Sequence, residues 1–234
     1  MKDDERQTPL ITIIIPALNE EKSIGHVLRD IPWDNVHEVI VVDNGSDDAT
    51  AQVARTHGAR VIVEPERGYG AACLAGMAAL DARARIVVFL DADYSDFPEQ
   101  LPALLAPILN GQADFVIGTR MRDAETRRAM TPPQRWGNRL AVTLIRWRFG
   151  FRYTDLGPFR AIRREALDAL GMVDRNYGWT VEMQIRAVRR RLRIVEIPVA
   201  YRIRIGRSKI SGTVRGVILA GAKILWTIFR YAIR

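Results

Sequence analysis

The strongest constraint on the fold is an alternation near the start of the chain. Short β-rich runs at 11–15, 38–42, 60–63 and 86–90 take turns with helix-like stretches at 20–29, 49–57 and 70–80. Such alternation predicts a parallel sheet covered by helices. Residues 13–15, 39–42 and 86–90 are continuously apolar instead of alternating, as in strands buried on both faces. In open sheets of this kind ligands sit beyond the carboxyl ends of the strands, which directs attention to residues 16–20, 43–47, 64–70 and 91–96. Each of these segments carries carboxylates or glycines. Further on, 114–118 reads as a strand, 119–133 as an Arg-rich loop, and 134–149, 161–170 and 180–191 as helices. Residues 194–203 read as a strand that Pro198 confines to an edge or a bulge.

With 234 residues and 48% hydrophobic content, the chain can bury a core as one domain with a small appendage. Its single cysteine, Cys73, excludes a disulfide framework and a cysteine-based zinc cluster and fits a reducing, cytoplasmic setting. His26, His37 and His57 lack metal-ligand spacing. Residues 1–8 are polar, so no secretory signal is expected, and no stretch of eighteen uncharged apolar residues marks a spanning helix. The net charge of +8 comes from the second half, where Arg clusters at 127–128, 146–148, 163–164 and 189–193 predict contact with something anionic. No recognised nucleic-acid reading module accompanies those clusters, so nucleic acid is not an expected partner.

The sharpest local feature is Asp91-Ala92-Asp93 at a strand exit, where two carboxylates two residues apart can ligate a divalent cation. A solvated turn is the alternative for the triplet taken alone. Pro16-Ala17-Leu18-Asn19-Glu20 follows the first strand and Asp43-Asn44-Gly45-Ser46-Asp47-Asp48 the second. Two readings stand for each: Asn19 and Glu20 begin a helix or bind a ligand, and Asp43 forms an Asx-turn with Gly45 or accepts from ribose or base. The glycines of Arg67-Gly68-Tyr69-Gly70 either bring bare backbone N–H groups to a diphosphate or make a tight turn.

Taken together with Gly118-Thr119-Arg120, the run from Asp155 to Arg160 and the run from Arg204 to Lys209, these motifs resemble the family 2 glycosyltransferases of GT-A fold, and among them the polyprenyl-phosphate, dolichol-phosphate mannose synthase-like branch. The resemblance spans residues 10–212. It implies a Rossmann-like, mostly parallel sheet with flanking helices and a donor site for a nucleotide sugar at Pro16, Ala17, Asn19, Glu20, Asp43, Gly45, Arg67, Gly68, Gly70, Asp91 and Ala92. It also implies a Mg2+ or Mn2+ ion on Asp91 and Asp93 that stabilises the departing nucleoside diphosphate. Members of the dolichol-phosphate branch carry Gln two positions after the second Asp. This chain has Ser95 and then Asp96, which leaves the remaining ligands to water or to Asp96.

On the acceptor side the resemblance points to Arg120, Arg135, Arg202, Arg204 and Lys209 as phosphate clamps, a task suited to a planar, permanently charged guanidinium. Asp91, Asp93, Arg120, Asp155 and Glu182 are the catalytic candidates. For Asp155 and Glu182 the expected role is to orient sugar hydroxyls or arginines, because a phosphate oxygen arrives already ionised. For Glu182 a purely structural place early in a helix stands beside that role.

Two helices predict a membrane surface as partner. At about 100° per residue, Arg135, Arg139 and Arg146 fall within about 40° of one another, beside Trp136, Leu140, Leu144 and Trp147. In the C-terminal segment Arg215, Lys223, Arg230 and Arg234 fall within about 100°, against Val217, Ile218, Leu225, Trp226, Ile228 and Phe229. Both patterns suit amphipathic interfacial helices; core helices or a dimer contact are the alternative. The expected organisation is a catalytic domain over 1–212 and an interface helix over 213–234. Within that domain 10–118 is the nucleotide-sugar-binding half, and 119–212 is the acceptor-binding half with its amphipathic helix at 134–149. The expected activity is inverting, metal-dependent transfer of a hexose to dolichyl or undecaprenyl phosphate at the cytoplasmic membrane face. A soluble phosphorylated acceptor and a non-catalytic binding module are the rivals. A homo-oligomer or a separate membrane partner is compatible with the same residues.

Overall fold

The computed structural model describes residues 9–122, 124–206 and 214–233. Seven strands form one sheet: β1 (Ile11–Ala17), β2 (Glu38–Asp43), β3 (Arg60–Val63), β4 (Ile86–Phe89), β5 (Phe115–Thr119), β6 (Arg160–Arg163) and β7 (Ile194–Pro198). Their order is β3-β2-β1-β4-β6-β5-β7, and all neighbours are parallel except β6, which runs antiparallel to β4 and β5. The continuously apolar runs are buried on both faces, as predicted. Pro198 ends β7 at the sheet edge, where its missing N–H costs no ladder bond.

Helices α1 (Ile24–Asp30), α2 (Thr50–Thr56) and α4 (Leu101–Leu109) enclose one core with Ile13, Ile15, Val41 and Val88. Helices α3 (Tyr69–Ala78), α6 (Pro132–Phe149), α7 (Arg164–Leu170), α8 (Trp179–Arg189) and α9 (Val214–Ala232) enclose the other with Ile14, Phe89 and Ile117. In α4, Leu101, Leu104, Leu105 and Ile108 are buried at helical spacing despite Pro102 and Pro107. Helix α6 starts in a reciprocal capping box. Thr131 Oγ1 accepts from Gln134 N and Gln134 Oε1 from Thr131 N, Pro132 stands in the first turn, and Gly150 closes the helix in the left-handed region. Cys73 is buried in α3, as its Ala-rich surroundings predict.

Two local expectations are corrected. Residues 161–170 are not one helix: β6 precedes α7, and fully buried Arg160 donates to the carbonyls of Gly157, Leu156 and Thr180. Those carbonyls replace water around the guanidinium, so a charged residue can occupy a central strand. The stretch 119–133 is not wholly loop, since α5 (Ala124–Ala129) lies within it. Because β6 and β7 complete the same sheet as β1 to β5, the two halves read from the sequence share one scaffold. Among the described residues no helix is long and apolar enough to cross a membrane.

Candidate active site

A cavity of about 360 Å³ opens at the carboxyl ends of β1, β2 and β4, the position an open parallel sheet reserves for ligands. Pro16, Ala17, Leu18 and Glu20 supply one wall and Asp91, Ala92 and Asp93 the floor. Arg67, Gly68, Tyr69 and Ala72 supply a second wall, with Asn44, Asn176, Tyr177 and Arg204 closing the rim.

The acidic floor is held in place by short contacts. Asp93 Oδ1 accepts from Ser95 N at 3.0 Å and from Ser95 Oγ at 2.5 Å, while its Oδ2 lies 2.9 Å from Arg204 Nη1. Asp91 Oδ1 accepts from Tyr69 Oη at 3.1 Å. Burial pushes Asp91 up to about 7, and the charge of Asp93 adds to that rise. Arg204 also donates to Glu20 Oε1 at 2.5 Å, so one guanidinium bridges two carboxylates of the cavity. Asp96 is buried behind the floor with neither carboxylate oxygen hydrogen-bonded, and burial pushes it well above the usual carboxylate range. The donor set fits a hard divalent cation. It is all oxygen and limited to two aspartates, with a cationic side chain now resting on one of them, and Mg2+ binds through one or two carboxylates plus substrate phosphates. Among the described residues no cluster of three or more acidic, His or Cys side chains could hold an ion without such help. Ser95 spends its hydroxyl on orienting Asp93.

Other predicted residues stand elsewhere. Asn19 adopts a positive φ and accepts from Asp47 N, and Asp43 accepts from Ser46 N, the Asx-turn reading. Both stitch the β1 and β2 loops outside the cavity wall, and Gly45 completes the same turn. The wall residue there is Asn44, which the sequence reading passed over. Its amide donates to the Glu64 and Glu66 carbonyls and accepts from Gly68 N, welding three loops together. Gly68 and Gly70 press against the backbone at Asp174 and Arg175, where a Cβ would collide. Ala71 N donates to Arg175 O, so the turn is glycine-rich for close approach of backbone, while Gly68 also lines the cavity.

The acceptor-side candidates separate. Arg204 reaches the cavity. Arg120 is buried in a bidentate pair with Asp155, at 2.8 Å through both Nε and Nη2. Burial opposes that charge, but Asp155 more than offsets it and Arg120 is held above its ordinary value. The Arg202 guanidinium carbon lies 3.3 Å from the ring centre of Tyr94 and 4.1 Å from that of Phe97, and Arg202 donates to Tyr94 O and Asp96 O, clamping the turn after β4. Arg135 is exposed on α6. Lys209 lies outside the described residues.

For Glu182 the structural place early in the helix holds, together with the orientation of an arginine. Glu182 accepts from Val173 N, Asp174 N, Arg186 Nε and Tyr231 Oη and is 1% exposed, so its lone pairs are committed to structure. Asp155, fully buried, is likewise spent on Arg120. Tyr69, Asn176 and Tyr177 were missed. Tyr69 sits inside the glycine motif and was legible in principle; the other two reach the cavity only through tertiary structure.

The sequence model for glycosyl transferase family 2 matches residues 12–171. The chain belongs to this family. An uncharacterised family glycosyltransferase of Mycobacterium tuberculosis is 42% identical over 215 residues, covering 90% of this chain and 94% of that one. A dolichyl-phosphate hexose transferase of Haloferax volcanii is 37% identical, covering 86% of each. Among solved structures, glucosyl-3-phosphoglycerate synthase of M. tuberculosis, in complex with Mn2+, UDP-glucose and phosphoglyceric acid, superposes with a TM-score of 0.77 at 27% identity, covering 96% of this chain and 80% of that one. The likeness makes this sheet and its flanking helices a GT-A fold.

Proposed function

We propose that this glycosyltransferase moves a hexose, with inversion, from a nucleotide sugar to a polyprenyl phosphate at the cytoplasmic face of a membrane. The observation that carries the acceptor is the surface of α6 and α9. Trp136 and Trp147 are 75% and 83% exposed, and Ile218, Leu225, Trp226 and Phe229 stand exposed on the neighbouring helix. Exposed Trp on helices that also carry Arg139 and Arg146 suits an anionic lipid interface. The resemblance to a dolichyl-phosphate hexose transferase supports the same acceptor class. The cationic row expected on α9 is thinner than its spacing suggests, because Lys223 turns inward to Asp174.

In this reading Asp91 and Asp93 would hold Mg2+ or Mn2+, which when bound would supply the positive charge that stabilises a nucleoside diphosphate leaving group. Tyr69 and Ser95 fix the rotamers of the two aspartates, and Glu20, Asn44 and Tyr177 shape the donor pocket. Arg204 is the acceptor-side cation beside the sugar, drawing an ionised phosphate oxygen into line with the anomeric carbon. No general base is required, because that oxygen carries no proton at neutral pH. This agrees with Asp155 and Glu182 being locked in ion pairs away from the cavity.

A second reading has a soluble phosphorylated acceptor, favoured by the phosphoglyceric acid in the superposed synthase. Radiolabelled UDP-glucose and GDP-mannose, offered in parallel with undecaprenyl phosphate and Mn2+, decide between them. Metal-dependent label in the organic phase is expected. Label that stays in water with 3-phosphoglycerate as acceptor gives the second reading, and none with either acceptor makes the protein a binding module.

A further inference from the structure

Helix α9 carries two different faces. Outward it shows Ile218, Leu225, Trp226 and Phe229; inward, at spacings of four, it places Lys223, Thr227 and Tyr231. Lys223 and Thr227 bear directly on the segment 171–178, which runs from the end of α7 to the start of α8, and Tyr231 bears on it through Glu182. Lys223 Nζ lies 2.9 Å from Asp174 Oδ2, while Asp174 Oδ1 accepts from Asn176 N at 2.8 Å. Thr227, buried, presses on Gly178 so closely that a Cβ there would collide with its hydroxyl. Tyr231 Oη donates to Glu182 Oε1 at 2.6 Å, and the other oxygen of Glu182 accepts from Val173 N and Asp174 N.

The same segment closes the rim of the proposed donor cavity. Asn176 and Tyr177 line it. The Asp174 and Arg175 carbonyls abut Gly70 and Gly68, Arg175 O accepts from Ala71 N, and Arg175 pairs with Glu66. Between Gly68 and Gly70 stands Tyr69, whose hydroxyl holds Asp91. Polar contacts linked by short stretches of backbone thus join a surface helix to the aspartate at the cavity floor.

We propose that Lys223 is a positioning residue for donor binding: through Asp174 it fixes the segment 173–177 against the Gly68–Gly70 turn and so sets the shape of the nucleotide-sugar pocket, with Tyr231 supporting it through Glu182. This rests on the cavity being the donor site, as proposed above, and not on the identity of the acceptor. Lys223 has no place in the family motifs read from the sequence. Asp174 is nearly buried, and without Lys223 its carboxylate keeps, among the described residues, the bond from Asn176 N, so the segment loses its ion pair to α9 while the two cores of the sheet stay intact.

The test measures UDP and GDP binding by calorimetry with Mn2+ present, and donor KM and kcat by transfer, for the full chain and its variants. Lys223→Met should weaken nucleotide binding and raise donor KM by about three- to tenfold with kcat nearly unchanged. Lys223→Arg should restore both, and Tyr231→Phe should act in the same direction with a smaller shift. Thermal midpoints measured alongside separate this from a purely structural role, which would lower the midpoint and leave Kd alone. Nucleotide affinity within twofold of wild type in a folded Lys223→Met protein overturns the proposal. Wild-type protein that binds neither nucleotide overturns the donor assignment, and the role of Lys223 falls with it.

Discussion

Two groups of charged residues in this molecule have similar composition and opposite fates. At the carboxyl ends of β1 and β4, Glu20, Asp91 and Asp93 face one cavity and share it with Arg204. From Arg120 onward, Asp155, Glu182 and Arg202 face their own partners inside the protein: Asp155 takes Arg120, Glu182 takes Arg186 and Tyr231, and Arg202 takes two aromatic rings. The difference is where the backbone leaves each side chain. A parallel strand that ends at an open crevice delivers the next residues to solvent and ligand. A charge on a helix or loop packed over the sheet must find an opposite charge or backbone donors to be buried at all. The first group is therefore expected to control turnover and the second stability.

The hardest test of that contrast is Asp93→Ala, which should cut kcat by at least about a hundredfold while circular dichroism and thermal midpoint stay near wild type. Wild-type turnover would remove the floor from the catalytic account. Next in size, Asp155→Ala leaves Arg120 buried without its carboxylate and should cost about 3–5 kcal/mol of stability, a fall of roughly 6–20 °C in midpoint for a chain of this size. A variant that keeps its midpoint and loses kcat would return Asp155 to the catalytic group.

Proton linkage sharpens the comparison further. Asp91, raised to about 7 in the folded state by burial and by Asp93, has an unfolded value of about 4. Between those values the folded protein holds more protons than the unfolded one, so metal-free stability falls as pH rises from about 4 to about 7. Asp96, raised for the same first reason, contributes with the same sign. Thermal melts should show a midpoint that declines across this window, a shallower decline in Asp91→Asn, and a Mn2+ stabilisation that grows with pH in wild type only. A pH-independent Mn2+ effect would count against ionised Asp91 as a ligand. The smallest effect belongs to Arg202→Lys, which weakens the cation–π contacts with Tyr94 and Phe97 and costs about 1 kcal/mol. Donor and acceptor KM should not move; a selective rise in acceptor KM would make Arg202 a phosphate clamp after all.

The same contrast explains what was legible in the sequence. The strands at 11–17, 38–43 and 86–89 announce themselves because burial on both faces forces unbroken apolar runs, and the Asp91-Ala92-Asp93 triplet is readable because local geometry alone puts both carboxylates at one strand exit. Strand β6 was hidden because Arg160 at its start breaks the apolar signal; its solvation by the Gly157 and Leu156 carbonyls is visible only in the fold. The pairing of Arg120 with Asp155 spans 35 residues and that of Tyr231 with Glu182 spans 49, so no window on the sequence reveals that these groups are spent. Asn44 was obscured differently: it sits between Asp43 and Gly45, whose types drew the eye, although its amide is the group that ties the cavity loops together.

The central claim, that the paired aspartates at the end of β4 join metal and nucleotide in one site, is met most directly by calorimetric titration of UDP and of GDP into wild type and Asp93→Asn, each with Mn2+ and with chelator. Binding of one nucleotide to wild type that requires Mn2+ and is lost in Asp93→Asn is the expected result. Equal affinity with chelator, or unchanged Mn2+-dependent affinity in Asp93→Asn, would contradict it.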